Sequence, residues 1–154
     1  MLIIKIPMIP VSVNQQYGRS RWGNIFLTKE SLIYKSTVQT LAKQAVREQG
    51  WDYMERGFVK VIALYVMPQE CRQDLINDKL TADSLEGIVY ANDKQIIDLR
   101  MVKIFGTNFQ ETILIIKPLS KSEYEKFTGN LLQVAAENSG GESDEISGES
   151  QCPP

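Results

Sequence analysis

The carboxylates at the centre of the chain are its most chemically suggestive residues. The segment reads Cys71-Arg-Gln-Asp74-Leu-Ile-Asn77-Asp78-Lys79-Leu-Thr-Ala-Asp83-Ser-Leu85-Glu-Gly87, followed by Tyr90-Ala-Asn92-Asp93-Lys94-Gln95. Asp74 falls just after an expected strand, at the entrance to a helix, and Asp93 falls in the loop before the next strand. In a layered α/β sheet such ends can meet at one rim, bringing together carboxylates that are distant in sequence. Like charges at close range are costly unless a cation compensates them. Mg²⁺ takes oxygen ligands, often a few carboxylates plus water and substrate phosphate. Carboxylates with Mg²⁺ are the expected route to phosphodiester hydrolysis in a chain with no histidine. The missing histidine excludes Ser-His-Asp hydrolases, Cys-His proteases, HExxH metalloproteases and His-Me nucleases together. No GxxxxGK[ST] or GxGxxG pattern occurs, so no nucleotide cofactor is expected.

A purely structural reading stands beside this one. Asp74 or Asn77 can cap the second helix, and Asn92-Asp93 can make a turn. Lys79 and Asp83, at i and i+4, can form an ordinary helix ion pair. Spacing and periodicity leave both readings open.

The surrounding composition sets the scale. A chain of 154 residues, 43% apolar and 23% charged, suits one compact soluble domain. Cys71 and Cys152 form no CxxC pattern, which argues against a disulfide scaffold or a zinc module. The longest apolar run, Val61 to Met67, falls far short of the ~20 residues of a membrane helix. Lys5 and Pro7 interrupt the N-terminal apolar stretch, so no signal peptide is expected and a cytoplasmic location is. Net charge is −2, but residues 137–154 carry Glu137, Glu142, Asp144, Glu145 and Glu149 with no base. The remainder holds 17 bases against 14 acids, a net of +3. Residues 1–47 contain seven bases and one acid, Glu30. A basic first half, an acidic centre and a disordered acidic tail are expected.

The positioning elements follow from pattern. Met1 to Pro7 reads as a short strand and Pro10 to Asn24 as loop. Thr28 to Gln49 reads as a helix with Thr28 as N-cap, Tyr34, Val38, Leu41 and Ala45 facing inward, and Gly50 past its end. Phe58 to Met67 is a β-branched and aromatic strand stopped by Pro68. Asn77 to Gly87 is a shorter helix with Leu80, Ser84 and Leu85 inward. Gln95 to Phe105 and Glu111 to Lys117 read as a β-hairpin around Gly106 and Asn108. Ser122-x-x-Glu125 resembles a capping box opening a last helix to about Ala136. The order β-α-β-α-β-β-α predicts an α/β (α+β) sandwich with a mixed four-stranded sheet and helices packed on it. The expected divisions are a domain over 1–120, a helix over 121–136 and a tail over 137–154.

Several of these pieces, in order, resemble the RusA-type Holliday junction resolvases over about residues 3 to 118. The opening Pro10-Val-Ser12-Val-Asn14-Gln-Gln-Tyr17, the Arg/Gly loop after it and Thr28-Lys-Glu-Ser-Leu-Ile-Tyr34 resemble that family's PPSxN segment, basic loop and helix. Asp74-Leu-x-Asn77, Lys79, Asp83-x-Leu85, Gly87, Tyr90 and Asn92-Asp93-Lys94-Gln95-Ile96 resemble its DLDN…K…DAL…G…Y…DDxQI series. The resemblance implies a homodimeric endonuclease, dependent on Mg²⁺ with Mn²⁺ as a substitute, that resolves four-way DNA junctions by paired symmetric nicks. It assigns catalytic roles to Asp74, Asp93 and Lys79, the lysine serving the transition-state phosphate charge. The second DLDN aspartate aligns with Ile76, which cannot bind metal, and one residue is missing between Asn77 and Lys79. The metal set is therefore expected as Asp74, Asp93 and Asp78, with Asp83 set behind Asp78 because its spacing already pairs it with Lys79. Asn92 replaces the first aspartate of a pair, and its amide is a weaker ligand.

Arg72 is expected to face the DNA backbone. Asn14, Tyr17, Arg19, Arg21 and Lys29 are the other expected DNA contacts; Lys35 and Lys43 divide between this role and a solvated helix face. Trp22 divides between loop packing and stacking on bases at a branch point. Paired nicking needs two sites, hence a C2 dimer; the strand Phe58–Met67 and the helix Ser31–Val46 are the candidate interfaces. Branched DNA is the expected partner, with no membrane and no nucleotide cofactor. Two other classes remain open: a branched-DNA-binding protein of the same fold, weak or inactive because of Ile76, and an interaction domain whose acidic tail binds a basic partner.

Overall fold

A computed structural model describes residues 1–68 and 79–139, with the backbone alone for 135–139. The expectations at Arg72, Asp74, Ile76, Asn77, Asp78 and in the acidic tail lie outside the described residues. The chain divides into two compact units, Met1–Leu119 and Ser120–Pro154.

The first unit is an α+β fold on a mixed four-stranded sheet, as the pattern predicts. Its strands are β1 (Leu2–Ile6), β4 (Phe58–Met67), β5 (Ile96–Phe105) and β6 (Glu111–Leu119), in spatial order β1-β6-β4-β5. β4 runs parallel to β5 and antiparallel to β6, which pairs antiparallel with β1. The expected β5–β6 hairpin is therefore replaced by a crossover, because β4 lies between them. β4 buries Val59, Val61, Ala63, Tyr65 and Met67 and takes a partner on each edge. Being central, it has no free edge with which to pair a second copy.

Helix α1 (Lys29–Glu48) is set by sequence as read. Thr28 caps it by accepting the Ser31 N–H, and Gly50 follows it with φ 62°. Tyr34, Val38, Ala42 and Ala45 join Leu2, Ile4, Val61, Leu114 and Ile116 in one core. Helix α2 (Lys79–Leu85) buries Leu80, Thr81, Ser84 and Leu85 and packs on α1. Residues 10–24 are less irregular than expected. A 3₁₀ turn (Val13–Gln15) leads into a two-stranded ribbon, β2 (Tyr17–Arg19) with β3 (Ile25–Leu27).

In the second unit, α3 opens at Lys121 and runs to Ser139, with its capping box two residues before the expected Ser122-x-x-Glu125. Its capping box is Ser120 with Glu123, whose carboxylate accepts the Ser120 N–H at 2.8 Å.

Candidate metal and nucleic-acid site

Val59 pairs with Ile96 and Met67 with Phe105, so the end of β4 and the start of β5 lie at opposite ends of the sheet. Among the described residues, the acidic site is assembled by α2 and the turn that follows it. Gly87, with φ 71°, ends α2 in a left-handed conformation open to glycine. Its N–H then bonds the Tyr90 carbonyl at 2.8 Å, doubling the chain back.

A second set of bonds fixes the stretch before β5. Gln95 Oε1 accepts the Ala91 and Asn92 N–H groups at 2.8 and 3.0 Å. Its Nε2 donates to the carbonyls of Met54 and Gly57. Asn92 Oδ1 accepts the Lys94 N–H at 3.0 Å, so this residue performs the turn-capping role. Together these bonds hold Asp93 against α2. One carboxylate oxygen from each of Asp83, Glu86 and Asp93 lies within 4.8 Å of the others, all three residues half-buried. Glu86 Oε1 also accepts the Asp93 N–H at 2.8 Å, joining helix to turn.

The electrostatics follow from this crowding. Burial pushes the Asp83 carboxyl above its usual range, and the neighbouring Glu86 and Asp93 charges push the same way. Lys79 and Lys35 pull against them. Three oxygen donors under mutual repulsion suit a hard divalent cation, which relieves that repulsion directly. The residues therefore fit Mg²⁺ chemistry.

Two phenols hold the turn carrying Asp83. Tyr34 and Thr81 share a hydrogen bond at 2.9 Å between their hydroxyls, tying α1 to α2. Tyr90 donates to the Ala82 carbonyl at 2.9 Å. Burial, then the charges of Glu86, Asp93 and Asp83, push the Tyr90 phenol well above its ordinary value, so it stays a donor.

Of the expected site residues, Asp93 is in the cluster and Lys79 is exposed as the first residue of α2. Asp83 also lies there, despite having been set behind Asp78. Glu86 carries no role in the sequence reading; its i, i+3 spacing from Asp83 was the available signal, since such residues share a helix face. Among the expected DNA contacts, Asn14 is exposed on the 3₁₀ turn, Tyr17 and Arg19 on β2, and Lys29 on the first turn of α1. Arg21 stacks on Trp22, its guanidinium carbon 5.0 Å from the ring centroid. Lys35 lies close enough to affect Asp83, so at least one base of α1 flanks the acidic cluster.

Three carboxylates from α2 and the turn after it converge under the influence of Lys79 and Lys35, a donor set suited to a hard cation. A family model for endodeoxyribonuclease RusA matches residues 7–117. The chain belongs to the RusA endodeoxyribonuclease family, which implies endodeoxyribonuclease activity, dependence on a metal and action on branched DNA junctions. No curated protein matches it.

Proposed function

We propose that this protein is an Mg²⁺-dependent endonuclease that resolves four-way DNA junctions by paired symmetric nicks, in recombination and repair. The observation that carries this reading is the convergence of Asp83, Glu86 and Asp93 within 4.8 Å, in a chain matched to this family over residues 7–117. Asp93, Asp83 and Glu86 would hold the cation, with Asp74 as the further ligand that the resemblance supplies and Asp78 as the nearest replacement for the carboxylate lost at Ile76. A bound divalent ion supplies charge neutralisation at the scissile phosphate and a more acidic water. Lys79 offsets the charge that develops on the phosphate, and Lys35 adds to the local positive field. Tyr90 and Tyr34 hold the Asp83 turn so that the ligands are preorganised. Arg19, Arg21, Lys29 and Arg72 take the DNA backbone, each neutralised phosphate adding a salt-dependent increment to binding.

Paired nicking requires two sites, so the active form is a C2 homodimer acting in the cytoplasm, where its DNA is. The outer strand β5 supports this assembly: Leu99, Val102, Ile104 and Phe105 are exposed on a strand that, among the described residues, pairs on one edge with β4.

The test is a labelled synthetic four-way junction incubated with wild type and Asp93→Asn, in Mg²⁺ and in EDTA. Symmetric nicks from wild type in Mg²⁺ alone are expected, with Mn²⁺ substituting and Asp93→Asn binding without cutting. Tight junction binding with no cutting under any metal would favour the inactive junction binder that Ile76 suggests. No preference for junction over duplex would overturn both.

A further inference from the structure

The two-stranded ribbon ahead of α1 presents a cluster that cation binding does not use. Trp22 is 79% exposed, Ile25 63%, Phe26 51% and Tyr17 49%. Large apolar groups left in water along one short ribbon mark a surface built for a partner. Trp22 is not packed as loop filler, and its position is organised. Ser20 Oγ accepts the N–H groups of Trp22 and Asn24, at 3.3 and 3.1 Å. The Ser20 N–H bonds the Asn24 carbonyl, and the Gly23 N–H bonds the Ser20 carbonyl. Gly23 has φ 83°, which the turn requires.

The base of the ribbon is equally fixed. Thr28 Oγ1 donates to the Gln15 carbonyl at 3.0 Å, and Ser31 Oγ to the Gln16 carbonyl at 3.0 Å. Gln16 is buried, and its Nε2 donates to the Val11 carbonyl. The Phe26 ring lies so close over Gly18 that a Cβ there would approach it to 2.7 Å, so this face of the ribbon is closely packed. The result is an anchored base with an exposed aromatic tip.

The charge around the tip selects its occupant. Residues 10–29 contain Arg19, Arg21 and Lys29 and no acid. Arg21 rests over one face of the Trp22 ring, placing a cation behind the stacking surface and leaving the other face for a base. An aromatic plane flanked by guanidinium groups suits a nucleobase attached to a phosphate backbone: the ring stacks on the base while the bases neutralise its phosphates.

We propose that the β2–β3 ribbon is a wedge whose Trp22 stacks on a nucleobase unpaired at the branch point, giving the enzyme its preference for junctions over duplex. This rests on the junction-nuclease reading above. Opening a base pair costs least where stacking is already interrupted, so a wedge discriminates for branched DNA without reading sequence.

The experiment compares wild type, Trp22→Ala and Trp22→Phe on a four-way junction and on linear duplex, all in EDTA. Permanganate oxidation of branch-point thymines reports base opening, and gel shift reports affinity. Wild type should raise thymine reactivity at the branch, and Trp22→Ala should abolish the rise. Its junction-over-duplex preference should fall about tenfold, as expected for one lost stacking contact. Trp22→Phe should recover most of both. Because Trp22 is exposed, unchanged thermal midpoints will show that the variants fold. A wild type that prefers and cuts junctions while Trp22→Ala matches it in both readouts overturns the wedge alone. A wild type with no junction preference overturns the underlying reading. Loss of binding to phosphatidylglycerol vesicles in Trp22→Ala, with junction behaviour unchanged, would assign the tip to a membrane surface and overturn the wedge.

Discussion

Glu86 is the residue whose two roles can be separated. Its carboxylate accepts the Asp93 N–H and contributes charge to the cluster. Glu86→Gln keeps an acceptor for that bond while removing the charge, and Glu86→Ala removes both. Both variants should raise the Mg²⁺ concentration for half-maximal junction cleavage by about tenfold or more. Only Glu86→Ala should also lose stability, by ~1 kcal/mol in urea unfolding. Equal losses of stability in the two would contradict this division. Asp98 gives a separate prediction, on pH. Burial raises its carboxyl, but the Lys60 ammonium, 2.6 Å away, and the Arg100 guanidinium more than offset this, leaving it below the ordinary range. A carboxylate depressed in the folded state contributes stability that is present above its unfolded pKa. That contribution is lost as pH falls through the lower, folded value. Asp98→Asn should therefore flatten the acid limb of the stability curve below about pH 4, measured by chemical unfolding across pH, and leave its shape above pH 6 unchanged. The candidate cluster was partly legible from sequence: Asp93 from the resemblance and Asp83 as a lesser choice, while Glu86 went unread. The bond that makes Glu86 useful depends on a left-handed Gly87 turn that returns the chain, and no local pattern displays that.

At the scale of elements, strands and helices were legible and their neighbours were not. β4 was bounded correctly because a β-branched and aromatic run ends at Pro68. The β5–β6 hairpin failed because Gly106 and Asn108 give a turn composition without saying which strand lies between. Long-range packing decides that: β4 needs a partner on each edge, and parallel β5 sets Asp98 beside Lys60. The β2–β3 ribbon was missed because its strands are three residues long and include Gly18, too short for a period of two. The N-cap at Thr28 links this ribbon to α1. Thr28→Ala removes the cap and the bond to the Gln15 carbonyl. It should cost ~1 kcal/mol of global stability. Hydrogen exchange over residues 17–27 should also quicken relative to β4. Unchanged exchange there would mean that the ribbon base is held by its other bonds alone.

On the proposed reading a single chain is incomplete for paired cutting, and the exposed surface of β5 fits that reading. β5 is an outer strand with Leu99, Val102, Ile104 and Phe105 open to water. Such an edge invites pairing or cover, and a stable homodimer needs ~800 Å² from each copy. The α1 face from Ser31 to Val46 is the weaker candidate, since Ser31, Tyr34, Val38, Ala42 and Ala45 are already committed to the core. Sedimentation should show wild type as a dimer and the doubly substituted Leu99→Glu, Ile104→Glu chain as a monomer with little cleavage. A dimer of unchanged affinity in that variant would place the interface elsewhere. The central claim, however, concerns where the cation sits. The most direct measurement is Fe²⁺-mediated hydroxyl-radical cleavage of the protein backbone, mapped by mass spectrometry, with Mg²⁺ as competitor. Cuts are expected around residues 74–78, 83–86 and 92–94, suppressed by Mg²⁺ and lost in Asp93→Asn. Mg²⁺-sensitive cuts clustered elsewhere, in a preparation that resolves junctions, would contradict it.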